Sequence, residues 1–130
     1  MPLPLSDSDE LTSRGQQFTV SDEGGMTCVV VAGFPLPDGC SVTRSDLLLR
    51  LNPGYPDVPP DMWWFDPPVY ARDGRAIEAT QVTESYLGRS WQRWSRHFTA
   101  GQWRPGTDSL ASYLALIRRE VARCTETVPA

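Results

Sequence analysis

The chain has 130 residues, a length that suits one domain with its own core. A formal net charge of −4 argues against broad electrostatic binding to nucleic acid or to an anionic membrane surface. Three unevenly spaced cysteines form no disulfide framework, and with a single histidine they lack the paired spacing of a zinc site. Reduced thiols in a cytoplasm, with no metal and no cofactor, are the expectation. The first residues, Met1 to Asp7, carry no basic region and no long apolar stretch, so no signal peptide is expected. The longest apolar run, 28–32, is far short of a membrane span. All twelve basic residues are arginine. A genome rich in G and C accounts for that. A protein that handles activated acyl groups would also gain from it, since lysine is the better nucleophile when deprotonated.

Residues 1–6 and 125–130 read as flexible tails around a domain at 7–124. Asp7 to Arg14 reads as a short helix, with Asp7 as its cap and Gly15 as its stop. Gln17 to Val20 reads as a strand, Asp22-Glu23-Gly24-Gly25 as a turn, and Met26 to Phe34 as a β run rich in valine. Pro37-Asp38-Gly39 is the next turn. Ser45 to Leu51 and Asp61 to Phe65 complete a four-stranded antiparallel meander. Between them lies a proline-rich loop, 52–60. Residues 66–80, with Pro67-Pro68 and Asp73-Gly74, read as irregular, and a stretch that long is more often functional than idle. Ser90 to Phe98 reads as a short helix with Trp91, Trp94 and Phe98 on one stripe. A last helix spans about 108–123, capped by Thr107 or Asp108, with Leu110, Tyr113, Leu114, Ile117 and Val121 on its buried face. Strands followed by helices imply an α+β domain.

Two motifs are specific. The first is Tyr55-Pro56-x-x-Pro59-Pro60. The second, some forty residues on, is Trp103-x-Pro105 leading into the last helix. Together they resemble the ubiquitin-conjugating enzyme family, over roughly residues 7–123, and most of all its divergent bacterial relatives. The resemblance implies the UBC fold, an antiparallel four-stranded meander with flanking helices. It also implies two partners, a ubiquitin-like protein and a ubiquitin-activating-type enzyme. Two family features are missing. No cysteine lies from Ser41 to Arg123, and the His-Pro-Asn motif expected about ten residues past Pro60 is replaced by Tyr70-Ala71-Arg72. The only asparagine, Asn52, precedes the proline loop.

The family's nucleophile usually stands about eight residues before the tryptophan of Trp-x-Pro. That position here is Ser95, two residues from His97. The resemblance thus implies Ser95 as an acyl carrier, forming an oxyester, with His97 as the general base that a weakly nucleophilic serine needs. On a regular helix the two would lie about 200° apart and could not bond, at roughly 100° per residue. A distorted segment, or a base from elsewhere such as Tyr86, Asp73 or Glu84, would then be required. Trp91, Arg93, Trp94 and Arg96 form a local basic and aromatic set suited to a protein interface, and the two tryptophans also fit a core. Of the cysteines, Cys28 fits a core strand and Cys124 a half-buried helix position. Cys40 sits in a turn, where it should be accessible but blunted by Asp38. The competing reading is a catalytically inactive UBC-fold module that presents a ubiquitin-like protein or an activating enzyme to partners.

Overall fold

The computed structural model describes residues 3–99 and 101–126. In chain order the elements are α1 (Leu5–Ser13), β1 (Phe18–Glu23), β2 (Met26–Pro35), β3 (Arg44–Leu51), β4 (Trp63–Asp66), β5 (Thr83–Tyr86), β6 (Arg89–Trp94) and α2 (Leu110–Thr125). All six strands lie in one antiparallel sheet, in the order β1-β2-β3-β4-β6-β5. The class is α+β and the first four strands are those expected. The sheet is wider than the four-stranded expectation because β5 and β6 form a hairpin that adds to the edge of β4.

That hairpin replaces the helix expected at 90–98. Its turn is Leu87-Gly88, at φ 55° and 72°, with Tyr86 opposite Arg89. Two consecutive positive φ values suit the two-residue turns that match strand twist. A leucine there is strained, and its N–H is held by Glu23 Oε2 at 2.9 Å. Trp91 and Trp94 are both fully buried, but on opposite faces of the sheet, as residues three apart on a strand must be. A spacing of three fits one helical stripe equally well, which is why the sequence misleads here.

The middle of the sheet is buried on both sides, so Leu47, Leu48 and Leu49 are all inaccessible. One face packs Val29, Leu47, Leu49, Trp63, Phe65 and Trp94 against Leu11 of α1 and the expected stripe of α2. The other face carries a smaller cluster of Cys28, Leu48, Trp64 and Trp91. At about 25 cal/mol per Å² of apolar area, such double burial is the main stabilising contribution.

The two sequence motifs lock onto each other. The Trp103 indole N–H donates to the Pro56 carbonyl at 2.8 Å, and the rings of Tyr55 and Trp103 lie 6.0 Å apart. Tyr55 is buried and donates its hydroxyl to Asp7 Oδ2 at 2.7 Å. Asp7 Oδ1 accepts from Leu110 N–H at 3.1 Å. Asp7 therefore does not cap its own helix. It caps α2 from across the core, beside Ser109, whose side chain forms a capping box with Ser112. Ser109, not Thr107 or Asp108, is the N-cap.

Of the stretch 66–80 expected to be irregular, Asp66 ends β4 and the rest is irregular, pinned by buried Val69, Ala71, Ile77 and Thr80. Leu3 and Thr125 are buried as well, and α1 already begins at Leu5. Cys28 is in the core, and Cys124 is half-buried. Cys40, expected to be accessible, is buried instead. The end of α2 packs on its turn so closely that a Cβ on Gly39 would collide with the Thr125 backbone. Desolvation pushes the Cys40 thiol pKa up, away from reactivity. Among the described residues, no helix is long and apolar enough to cross a membrane.

Candidate functional site

Beyond Trp94 the chain leaves β6 without forming a helix, and two backbone bonds fix its path. Ser95 N–H donates to the Ala79 carbonyl, and Met62 N–H donates to the Arg96 carbonyl, both at 3.0 Å. Ala79 and Met62 hold φ values of 59° and 61°. A side chain in that region costs about 1–2 kcal/mol. Such residues persist only where the surroundings over-determine them, and they cluster at functional sites. Here both strained residues clamp the same two positions. Met62 is held from behind as well. Its carbonyl accepts from the Tyr113 hydroxyl at 2.8 Å, and burial pushes the Tyr113 pKa up, so this group remains a protonated donor.

Ser95 and His97 come together on this frame. Ser95 Oγ lies 3.2 Å from His97 Nε2. The 200° separation of a helix does not arise, because in a non-helical extended path residues i and i+2 share a side. The other ring nitrogen, Nδ1, lies 2.6 Å from Asp61 Oδ1. With the proton on Nδ1, the ring donates to Asp61 and presents an acceptor lone pair to the Ser95 hydroxyl. Serine, histidine and carboxylate thus form one chain of hydrogen bonds, the arrangement that activates a hydroxyl nucleophile in triads on unrelated folds. The site is open: the side chains of His97 and Asp61 are 58% and 56% exposed.

Asp61 was not foreseen. It follows the double proline directly, and the left-handed turn at Met62 lets the carboxylate face solvent while Trp63 enters the core. The pairing of β4 with β6, Trp63 opposite Trp94, brings residues 61 and 97 together. The bases considered from elsewhere are engaged away from Ser95. Asp73 pairs with Arg75, Glu84 takes the indole N–H of Trp64 and pairs with Arg93, and Tyr86 stacks edge-on against Trp64.

Arg96 points the other way from its two neighbours. Its guanidinium pairs with Glu120 of α2 at 2.8 Å and donates to the carbonyls of Glu78 and Ser95. It stands between two clefts. One, of about 340 Å³, is lined by His97, Phe98, Trp63, Tyr113 and Arg119. The other, of about 430 Å³, is lined by Ser95, Ile77, Ala79 and Cys124. Hydrogen bonds from Arg123 and then Arg96 hold the Glu120 carboxylate down to a pKa of about 2. Cys124 Sγ accepts from Arg96 at 3.5 Å and from Arg123 at 3.6 Å.

The family model described as Prokaryotic E2 family E matches residues 3–124. The chain belongs to prokaryotic E2 family E. No curated protein and no solved structure matches it. In this family E protein the match spans both sequence motifs, the whole sheet and nearly all of α2. Membership connects the chain with ubiquitin-like conjugation.

Of the residues singled out from the sequence, the family E protein brings two side chains together, Ser95 and His97, while Arg96 between them turns to Glu120. The basic and aromatic set does not form one surface. Trp91 is buried on the second face, with its indole N–H donating to the Tyr86 carbonyl. Trp94 is buried on the first face and stacks on Trp63. Arg93 is half-buried against Glu84. Arg96 alone of the four lines the clefts.

Proposed function

We propose that this protein is a serine-dependent carrier in ubiquitin-like conjugation. It takes the C-terminal acyl group of a ubiquitin-like protein from the thioester of an activating enzyme. The observation that carries the reading is the Ser95–His97–Asp61 hydrogen-bond chain, standing where the family's motif spacing puts the nucleophile. Ser95 Oγ attacks the thioester carbonyl while its proton passes to His97 Nε2. The C–O bond forms, the C–S bond breaks, and the imidazolium returns the proton to the departing thiolate. Asp61 holds the ring and stabilises its charged form. Arg96 fixes the backbone between nucleophile and base through its bond to the Ser95 carbonyl, whereas Trp91, Arg93 and Trp94 serve the sheet.

The second reading, an inactive module that presents a ubiquitin-like protein or an activating enzyme, draws on the asparagine. Asn52 Oδ1 accepts from Gly54 N–H at 2.8 Å and serves the proline loop, so it does not stand in for the family's missing asparagine. Intact-mass analysis with a ubiquitin-like protein, its activating enzyme and ATP separates the two. An adduct that resists thiols, yields to hydroxylamine and disappears in Ser95→Ala supports the carrier. No adduct while the activating enzyme is itself charged leaves the module.

A further inference from the structure

We propose that the Ser95–His97–Asp61 site is also a hydrolase, which discharges to water the acyl group that Ser95 takes from small activated esters and thioesters. The inference shares the nucleophile of the carrier reading but requires no ubiquitin-like protein.

Three observations converge on it. First, the base is open to water: the His97 and Asp61 side chains are more than half exposed, while Ser95 Oγ stays within hydrogen-bond reach of Nε2. An ester formed there lies within reach of solvent water that His97 can deprotonate. Second, each of the two residues borders a cleft of a few hundred Å³. Ser95 lines one cleft, beside Ile77 and Ala79. His97 lines the other. Arg96, tied to Glu120 and to the Glu78 carbonyl, keeps the two apart. Third, the chain has no lysine, so no side-chain amine of its own can intercept the ester. Unless a partner supplies an amine, water is the remaining acceptor.

The steps balance without any further reagent. In acylation the Ser95 proton moves to Nε2, the Oγ–C bond forms, and the alkoxide or thiolate leaves with that proton. In deacylation a water gives its proton to Nε2 and its oxygen bonds to the carbonyl carbon. The C–Oγ bond then breaks, Oγ recovers the proton, and a carboxylic acid is released, which ionises.

The test uses the purified full chain alone, with p-nitrophenyl acetate and S-acetylglutathione as probes. Acid release is followed continuously, and acetylated peptides are mapped by mass spectrometry. The proposal expects repeated turnover, at least tenfold above Ser95→Ala and above His97→Gln, with both variants keeping the wild-type melting temperature. A transient acetyl group should map to the peptide containing Ser95. Turnover retained in Ser95→Ala would make His97 the nucleophile and overturn the proposal. So would an acetyl group on Cys124, cleaved by thiols, or an acetyl-Ser95 that never turns over. Charging by a ubiquitin-like protein without ester hydrolysis would sink the hydrolase alone. Hydrolysis without charging would sink the conjugation reading and leave the hydrolase.

Discussion

Replacing Asp61 by asparagine isolates the charge that the hydrogen-bond chain places behind His97. The 2.6 Å contact between Asp61 Oδ1 and His97 Nδ1 sets the scale. Two unit charges at that separation in the dielectric of water attract by about 1.6 kcal/mol. Exposed ion pairs measure below that, at about 1 kcal/mol or less. Both groups are more than half exposed, so the low-dielectric figures of a buried triad do not apply. The imidazolium that forms as Ser95 reacts should lose between about 0.5 and 1.6 kcal/mol of stabilisation, a slowing of roughly 2- to 15-fold at 1.4 kcal/mol per tenfold. Removing the carboxylate from a buried triad costs about 10⁴-fold. The assay is single-turnover acylation of Ser95, followed by mass spectrometry under excess acyl donor, with Ser95→Ala as the zero. A rate within twofold of wild type would mean that Asp61 does not act through His97. A loss as deep as that of Ser95→Ala would mean that the site is shielded far more than its exposure says, and the reasoning from solvent access would fail with it.

Tyr55→Phe should remove one of the two hydrogen bonds that the buried Asp7 carboxylate accepts from Tyr55 and Leu110, costing about 1.5–3 kcal/mol for a charge-assisted bond, or roughly 5–10 °C in melting temperature for a domain this size. A shift under 2 °C would show that the link between the proline loop and α2 contributes little. Brief alkylation of the native protein should modify Cys124 and spare Cys28 and Cys40, both inaccessible and both with thiols pushed up by burial. Peptide mapping that finds Cys40 labelled first would contradict the packing of α2 over its turn. Glu120 supplies a pH signature. Its folded pKa lies below the ordinary glutamate value, so its contribution to stability is complete above about pH 4.5 and fades as pH falls toward 2. Acid titration of Glu120→Gln should lack that component, on the order of 1–2 kcal/mol once the exposure of Arg123 is allowed for. An unchanged acid profile would remove Glu120 from the account.

The parts of the fold that were legible announce themselves locally. Valines in β2, the turn at Pro37-Asp38-Gly39 and the stripe of α2 each carry their own signal. The two motifs were legible for the same reason, since prolines fix the backbone wherever they stand. The hairpin of β5 and β6 was not, because Leu87-Gly88 lacks the asparagine or aspartate that usually marks such a turn. A sheet buried on both faces also removes the alternation that reveals a strand. Ser95 and His97 could be named from spacing, but the bond between them depends on that hairpin. Asp61 is 36 positions from His97, and only the β4–β6 pairing joins them. No local pattern encodes a pairing of that range.

The Tyr113 hydroxyl that holds the Met62 carbonyl has a consequence for the order of events in the cell. Synthesis runs from the N-terminus, so Ser95, His97 and Asp61 all leave the ribosome before α2 exists. Until that helix docks, the Tyr113 hydroxyl does not hold the Met62 carbonyl, and Glu120 is not there to seat Arg96. A half-made chain therefore carries all three side chains but lacks both of these supports. On the proposed reading, a copy cut before α2 would lack the Tyr113 and Glu120 contacts that hold the Ser95–His97 segment in place.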